Sequence, residues 1–155
     1  MINYKDHEYI RKKCKRYRIE NYTINQDASI DVDGDVKLIE LNLAKLPVIF
    51  NKVNGDFNCS DNQLKSLKGC PKYVGGDFFC DFNQLTSLED CPENVKGSFY
   101  CSQNQLKSLK GCQEDINKNF YCYNNKLTSL DGGHKSVGDE FDCSYNKNNI
   151  IRWIS

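Results

Sequence analysis

Apolar residues along this chain recur on a 21-residue step. Phe57, Phe78, Phe99, Phe120 and Phe141 lie one step apart, and so do Cys59, Cys80, Cys101, Cys122 and Cys143. Leu64, Leu85, Leu106 and Leu127 follow the same step, as do Leu67, Leu88, Leu109 and Leu130. Val53, Val74, Val95, Ile116 and Val137 complete the apolar set. One polar series keeps the step too: Asn62, Asn83, Asn104, Asn125 and Asn146. A second thiol series, Cys70, Cys91 and Cys112, ends in Gly133. A fixed period of this kind marks a repeat architecture, in which one unit cannot bury its apolar face alone. Within a unit, Phe-x-Cys alternates with period two, the spacing of a strand with both residues on one face. Asn, Leu-x-x-Leu and Gly-Cys-Pro or a relative follow, too short and too rich in turn residues for a helix. The pattern predicts a mainly β solenoid of parallel strands, about six rungs at about 4.8 Å per rung. Each rung contributes a short strand, a turn and an irregular or extended return.

Upstream of Val53 the period continues in a worn form. Gly34, Asp35, Val36, Leu38, Leu43 and Leu46 stand one step before Gly55, Asp56, Phe57, Cys59, Leu64 and Leu67, whereas Leu41 stands one step before Asn62. Terminal repeats are atypical because their outer faces must be closed against water. Residues 22–52 are therefore predicted to form a degenerate first repeat, ahead of regular repeats over 53–149. Residues 5–18 place Tyr9, Ile10 and Cys14 at helical spacing among Lys and Arg. The spacing predicts an α-helical cap within a basic N-terminal segment, 1–21. Ile150, Ile151, Trp153 and Ile154 suit a C-terminal cap, 150–155, over a last strand ending near Asn146. All four segments belong to one structural domain, as a length of 155 residues allows.

Charge changes this picture at one end only. The formal net charge is zero, but residues 1–20 hold seven Lys/Arg against three Asp/Glu, so a basic head precedes a mildly acidic body. The chain opens without the apolar core of a secretory signal, and no run approaches 18 apolar residues. A cytoplasmic protein without a membrane partner is expected. The nine cysteines are then expected as thiols, and their odd number opposes a closed disulfide framework. Buried, they would act as small hydrophobes. With no C-x-x-C pair and only His7 and His134 as histidines, neither a metal nor another cofactor is expected.

The stretch Phe57-x-Cys59-x-x-Asn62-x-Leu64-x-x-Leu67 resembles the leucine-rich-repeat pattern, with Phe and Cys at its two strand leucines. The short unit, with Pro71 and Pro92, is most like the short bacterial repeats. Units of the form Gly-Asp-Phe-x-Cys-x-x-Asn-x-Leu-x-Ser-Leu follow the lead-in Ile30-Asp31-Val32-Asp33-Gly34-Asp35-Val36. In this they also resemble repeat proteins encoded by tailed bacteriophages. The resemblance spans roughly residues 19–149. It implies a leucine-rich-repeat-like solenoid, an Asn column that satisfies backbone groups of the turn, and a scaffold that binds other macromolecules. For a phage-encoded chain it implies action on a host factor in the host cytoplasm.

Information about a ligand is expected where the units differ. Three columns of the strand region are read as facing outward. The first is Lys37, Asn58, Phe79, Tyr100, Tyr121, Asp142; the second is Ile39, Ser60, Asp81, Ser102, Tyr123, Ser144. The third is Glu40, Asp61, Phe82, Gln103, Asn124, Tyr145. Phe79, Tyr100 and Tyr121 form an aromatic stripe, with Phe82, Tyr123 and Tyr145 beside it. Clustered solvent-facing aromatics suit an interface, while a cross-strand ladder that stabilises the sheet is the competing reading. Before each Phe runs an acidic-leaning column, Asp35, Asp56, Asp77, Ser98, Asn119, Glu140, to which Asp61 and Asp81 add. Such carboxylates would repel a phosphate backbone and suit Lys or Arg on a protein partner, although Asp beside Gly is also ordinary turn chemistry. On the return side Lys68, Glu89, Lys110 and Asp131 alternate in sign, the pattern of a ladder of weak exposed ion pairs.

These features predict a non-catalytic module that binds another protein through its strand face, with Asp56, Asp77 and Asp81 beside the aromatics. The alternative is nucleic-acid binding by the basic run Arg11, Lys12, Lys13, Lys15, Arg16 and Arg18. Enzymatic activity is not expected. No phosphate-binding Gly loop or G-x-S-x-G is present, and no histidine pairs with a nucleophile.

Overall fold

Strand pairing follows the 21-residue step. In the computed structural model, which describes residues 4–133 and 136–147 with side chains from residue 6 onward, Val36 pairs with Phe57 and Phe57 with Phe78. Phe78 pairs in turn with Phe99, Phe99 with Phe120 and Phe120 with Phe141, all in parallel. The strands Val36–Lys37, Phe57–Asn58, Phe78–Phe79, Phe99–Tyr100, Phe120–Tyr121 and Phe141–Asp142 make one six-stranded sheet, the strand face. Ladder hydrogen bonds run on past each strand, as from Cys59 N–H to the Phe79 carbonyl at 2.9 Å. The chain is thus a solenoid of parallel strands with an N-terminal helix, as the periodicity predicts.

The return is more regular than expected, because the Val column also forms strands. Ile49–Val53, Tyr73–Val74 and Asn94–Val95 pair in parallel on the opposite side of the core. Ahead of them Tyr22–Ile24 and Ser29–Val32 form an antiparallel hairpin that joins this sheet through Ile49–Val53. Asp115–Ile116 and Ser136–Val137 make a separate pair. The interruption falls at Gln113, which stands one step after Pro92. Its side chain accepts from Val95 N–H and donates to the Asp115 carbonyl, each at 2.8 Å. The last strand of the strand face stops at Asp142 rather than near Asn146, because Tyr145 takes a left-handed φ of 54° and Asn146 donates back to the Cys143 carbonyl. His134 and the expected C-terminal cap, 150–155, lie outside the described residues.

The N-terminal helix spans Tyr4–Arg16. Ile10 and Cys14 on one face join the core cluster. Arg18 in the left-handed region (φ 54°) ends it, with Ile19 N–H reaching the Cys14 carbonyl at 2.9 Å. That is a Schellman closure, with Ile19 buried as its apolar partner.

The core is a stack of columns. Phe57, Phe78, Phe99 and Phe120 are fully buried, with neighbouring ring centroids 5.0–5.8 Å apart. Each ring contributes roughly 1.5–3 kcal/mol through burial. The Leu columns and the Cys59-to-Cys143 column fill the remaining space.

One polar column is buried with them. Asn83 Oδ1 accepts from Leu64 N–H at 2.9 Å, and its Nδ2 donates to the carbonyls of Cys59, Cys80 and Asp81 at 3.0–3.2 Å. Asn62, Asn104, Asn125 and Asn146 repeat the arrangement on their own rungs. Each carboxamide ties two rungs together where the ladder stops.

A second ladder couples glycine to aspartate. Asp35 Oδ1 accepts from Asp56 N–H at 3.0 Å, Asp56 Oδ1 from Asp77 N–H at 2.8 Å and Asp77 Oδ1 from Ser98 N–H at 2.7 Å. The carboxylate lies against the backbone of the preceding residue on the next rung. A Cβ at Gly55, Gly76 or Gly97 would collide with Asp35, Asp56 or Asp77 respectively. Where the column changes to Ser98, the glycine gives way to Lys118; Asn119 Oδ1 keeps the bond, accepting from Glu140 N–H at 2.9 Å, beside Asp139, so the close fit to glycine belongs to the three Asp rungs. Gly76→Ala should therefore destabilise by about 2 kcal/mol. Urea denaturation of Asp56→Ala, Gly76→Ala and the double mutant should show a favourable coupling of about 1 kcal/mol; strict additivity would disprove the steric pairing.

Candidate functional site

The strand face carries the variable columns, and their environments differ. In the first column Phe79, Tyr100 and Tyr121 are half-buried and stacked, with centroids 4.5 and 5.0 Å apart and ring planes 10° and 20° from parallel. The rings stand on edge, so the faces between them are used within the ladder. Tyr121 hydroxyl donates to Glu140 Oε2 at 2.7 Å, and that bond raises the phenol to about 12. On flanking rungs the same position has a turn-capping role. Asn58 Oδ1 accepts from Ser60 N–H at 2.9 Å and Asp142 Oδ1 from Ser144 N–H at 2.8 Å. The three aromatics forgo that cap.

The second column is not uniformly outward. Ser60 and Ser102 are buried between larger neighbours, Tyr123 and Asp81 are half-buried, and Ile39 and Ser144 at the two ends are exposed. Asp81 supplies the missing cap from the adjacent rung, its Oδ1 accepting from Ser102 N–H at 2.8 Å. Burial pushes its carboxyl up to about 6, against the lowering effect of that N–H and with a further push from the Asp61 charge.

The third column holds the most exposed aromatics of the face. Phe82 is 50% and Tyr145 83% exposed. Every member, Glu40, Asp61, Phe82, Gln103, Asn124 and Tyr145, has φ between 51° and 57°. That conformation favours Gly, Asn and Asp and is uncommon for a bulky side chain. Phe82 and Tyr145 thus present rings to water from backbone positions that disfavour them.

Asp56 and Asp77 are partly buried and each spends one carboxylate oxygen on the next rung's backbone. The six proposed aromatics and Asp81 therefore share one face, with Asp56 and Asp77 along its edge. The basic residues lie elsewhere. Arg11, Lys12, Lys15, Arg16 and Arg18 are exposed on the N-terminal helix and its cap, with Lys13 half-buried. Lys12 pairs with Glu8 at 2.7 Å. The expected charge ladder does not form: Lys68, Glu89, Lys110 and Asp131 are all exposed, and no ion pair joins them. Long side chains in water gain too little from such pairs to hold them fixed.

All nine cysteines are free, with burial raising Cys80 and Cys101 well above the ordinary thiol value and Cys91 to about 12. Among the described residues no group of three or more His, Cys, Asp or Glu is placed to hold a metal, and no helix is long and apolar enough to cross a membrane. One feature is passed over by the columns: a groove between the helix and the Leu41–Ile49 stretch. Its only trace in the sequence is the change from Asn62 and Cys70 to Leu41 and Ile49 one step earlier.

Comparison with protein-family models, curated proteins and solved structures finds no match. The class that the fold defines is a β-solenoid repeat protein of 21-residue turns.

Asp81 makes the strand face pH-dependent. Its folded value of about 6 exceeds the ordinary 3.8, so the native state binds the proton more tightly and stability falls as pH rises through that interval. Asp81→Asn keeps the acceptor for Ser102 N–H and removes the charge. Its melting temperature should match wild type near pH 4 and exceed it at pH 7, by the equivalent of about 1–2 kcal/mol. A variant no more stable at pH 7 would contradict the desolvated carboxylate.

Proposed function

We propose that this chain is a non-catalytic binding module that takes a partner protein on its strand face. Phe82, Tyr145 and Tyr123 are the anchors, and the Phe79, Tyr100 and Tyr121 ladder is the stiff platform between them. The observation that carries this reading is the pair of exposed rings at left-handed backbone positions. Strain of that kind costs on the order of 1–3 kcal/mol and clusters at functional sites. Large exposed aromatics are also the side chains that dominate protein interfaces. Asp81, Asp56 and Asp77 suit a partner with Lys or Arg around an apolar centre. The resemblance to leucine-rich repeats and to phage-encoded repeat proteins extends the proposal to a host factor met in the host cytoplasm.

A second reading, nucleic-acid binding, is favoured by the exposed cations of the N-terminal helix. It predicts affinity for random oligonucleotides that falls steeply with salt.

Asn suits the left-handed region, so Phe82→Asn and Tyr145→Asn should leave stability unchanged or raise it by about 0.5–1 kcal/mol. The same variants should lose a partner that the wild-type chain captures from host extract. Capture by the double variant at wild-type strength would exclude these anchors. Capture lost only in Arg11→Glu or Lys15→Glu proteins would favour the helix.

A further inference from the structure

The first rung departs from the period in a direction that capping does not explain. A terminal repeat is expected to turn polar where it meets water. Here Leu41 precedes Asn62 by one step and Ile49 precedes Cys70, so large aliphatic side chains take the places of an amide and a thiol. Leu41 is 41% and Ile49 55% exposed. Tyr9 on the helix is 56% exposed, and the three line one groove of about 650 Å³. That volume falls within the roughly 300–1,000 Å³ of recognition pockets. Lys13, Lys45 and Lys68 also line it, against one carboxylate, Asp6. The Lys13 ammonium lies 5.3 Å from the Tyr9 ring centroid, which holds the cation beside the apolar wall.

We propose that this groove docks an acidic amphipathic segment of a partner protein. The segment's apolar face covers Tyr9, Leu41 and Ile49, and its carboxylates meet Lys13, Lys45 and Lys68. A groove with an apolar centre and a cationic lining fits that occupant on both counts. A phosphate backbone would satisfy the lysines and leave the aliphatic surface in water. The site lies apart from the strand-face aromatics and rests on none of them.

Fluorescence anisotropy tests it with the purified full chain and a short labelled amphipathic peptide of Leu, Phe and Glu. Saturable binding is expected. It should weaken at least about tenfold in Ile49→Glu and in Lys45→Glu/Lys68→Glu proteins that melt like wild type. It should vanish when the peptide's Glu residues are replaced by Lys, and persist in Phe82→Asn, which separates this groove from the strand face. Absence of saturable binding, or equal binding by Ile49→Glu, overturns the proposal. So does a salt-steep affinity for random oligonucleotides that competes with the peptide. Self-association in sedimentation that Ile49→Glu abolishes would assign the groove to a second copy of the chain instead.

Discussion

From Asn62 onward a carboxamide closes each turn of the strand face, buried on every rung but the last, and the rest of the fold depends on it. After Phe-x-Cys the backbone leaves the sheet, and its N–H and C=O groups must find partners in a core otherwise made of Phe, Leu and Cys. Asn62, Asn83, Asn104, Asn125 and Asn146 supply both a donor and an acceptor at that point, and each bonds across two rungs. Asp has no N–H₂ to offer and Leu has neither group, so Leu41 stands at this position only on the edge rung, where no earlier turn has to be tied down. A buried polar group left unsatisfied costs about 1–3 kcal/mol. That penalty, repeated along the stack, locks the register that the Phe rings and Leu columns then fill.

With the turn held from inside, the outward columns are free to vary. The Asp–Gly ladder shows that some of this variation is still structural, since Gly55, Gly76 and Gly97 track Asp35, Asp56 and Asp77. The exposed aromatics are different. Phe82 and Tyr145 sit where a small polar residue would fold at least as well, and Phe79, Tyr100 and Tyr121 displace a cap that Asn58 and Asp142 provide on other rungs. Asp81 restores one of those caps as a carboxylate held largely out of water. Several side chains of one face are thus not those that best suit their backbone or cap their turn, and that is the physical basis for proposing the face as a binding surface.

Much of the fold is legible in the residues alone, because a solenoid writes its core as columns. The Phe, Cys, Leu and Val series locate the buried face, and the Asn series marks the turn. The left-handed column escapes notice because Glu40, Asp61, Phe82, Gln103, Asn124 and Tyr145 carry no glycine signature. The burial of Ser60 and Ser102 is also hidden, since it follows from the bulk of neighbours rather than from their own chemistry. From Tyr73 onward the second strand of each unit reads as an extended return because only two residues of it pair. The helix groove is the least visible feature, being set by how Tyr9 of the cap faces Leu41 and Ile49 of the first rung.

Amide hydrogen exchange in the native protein tests the dependence on the carboxamides most directly. Leu64, Leu85 and Leu106 lie in turns after the strands, and each donates its N–H to an Asn Oδ1 of the next rung at 2.9–3.0 Å. If these bonds hold the stack, the three amides exchange only through global unfolding, at the rate of Phe78 and Phe99 within the sheet. Exchange at the rate of an open loop, with the sheet amides still protected, would contradict the account.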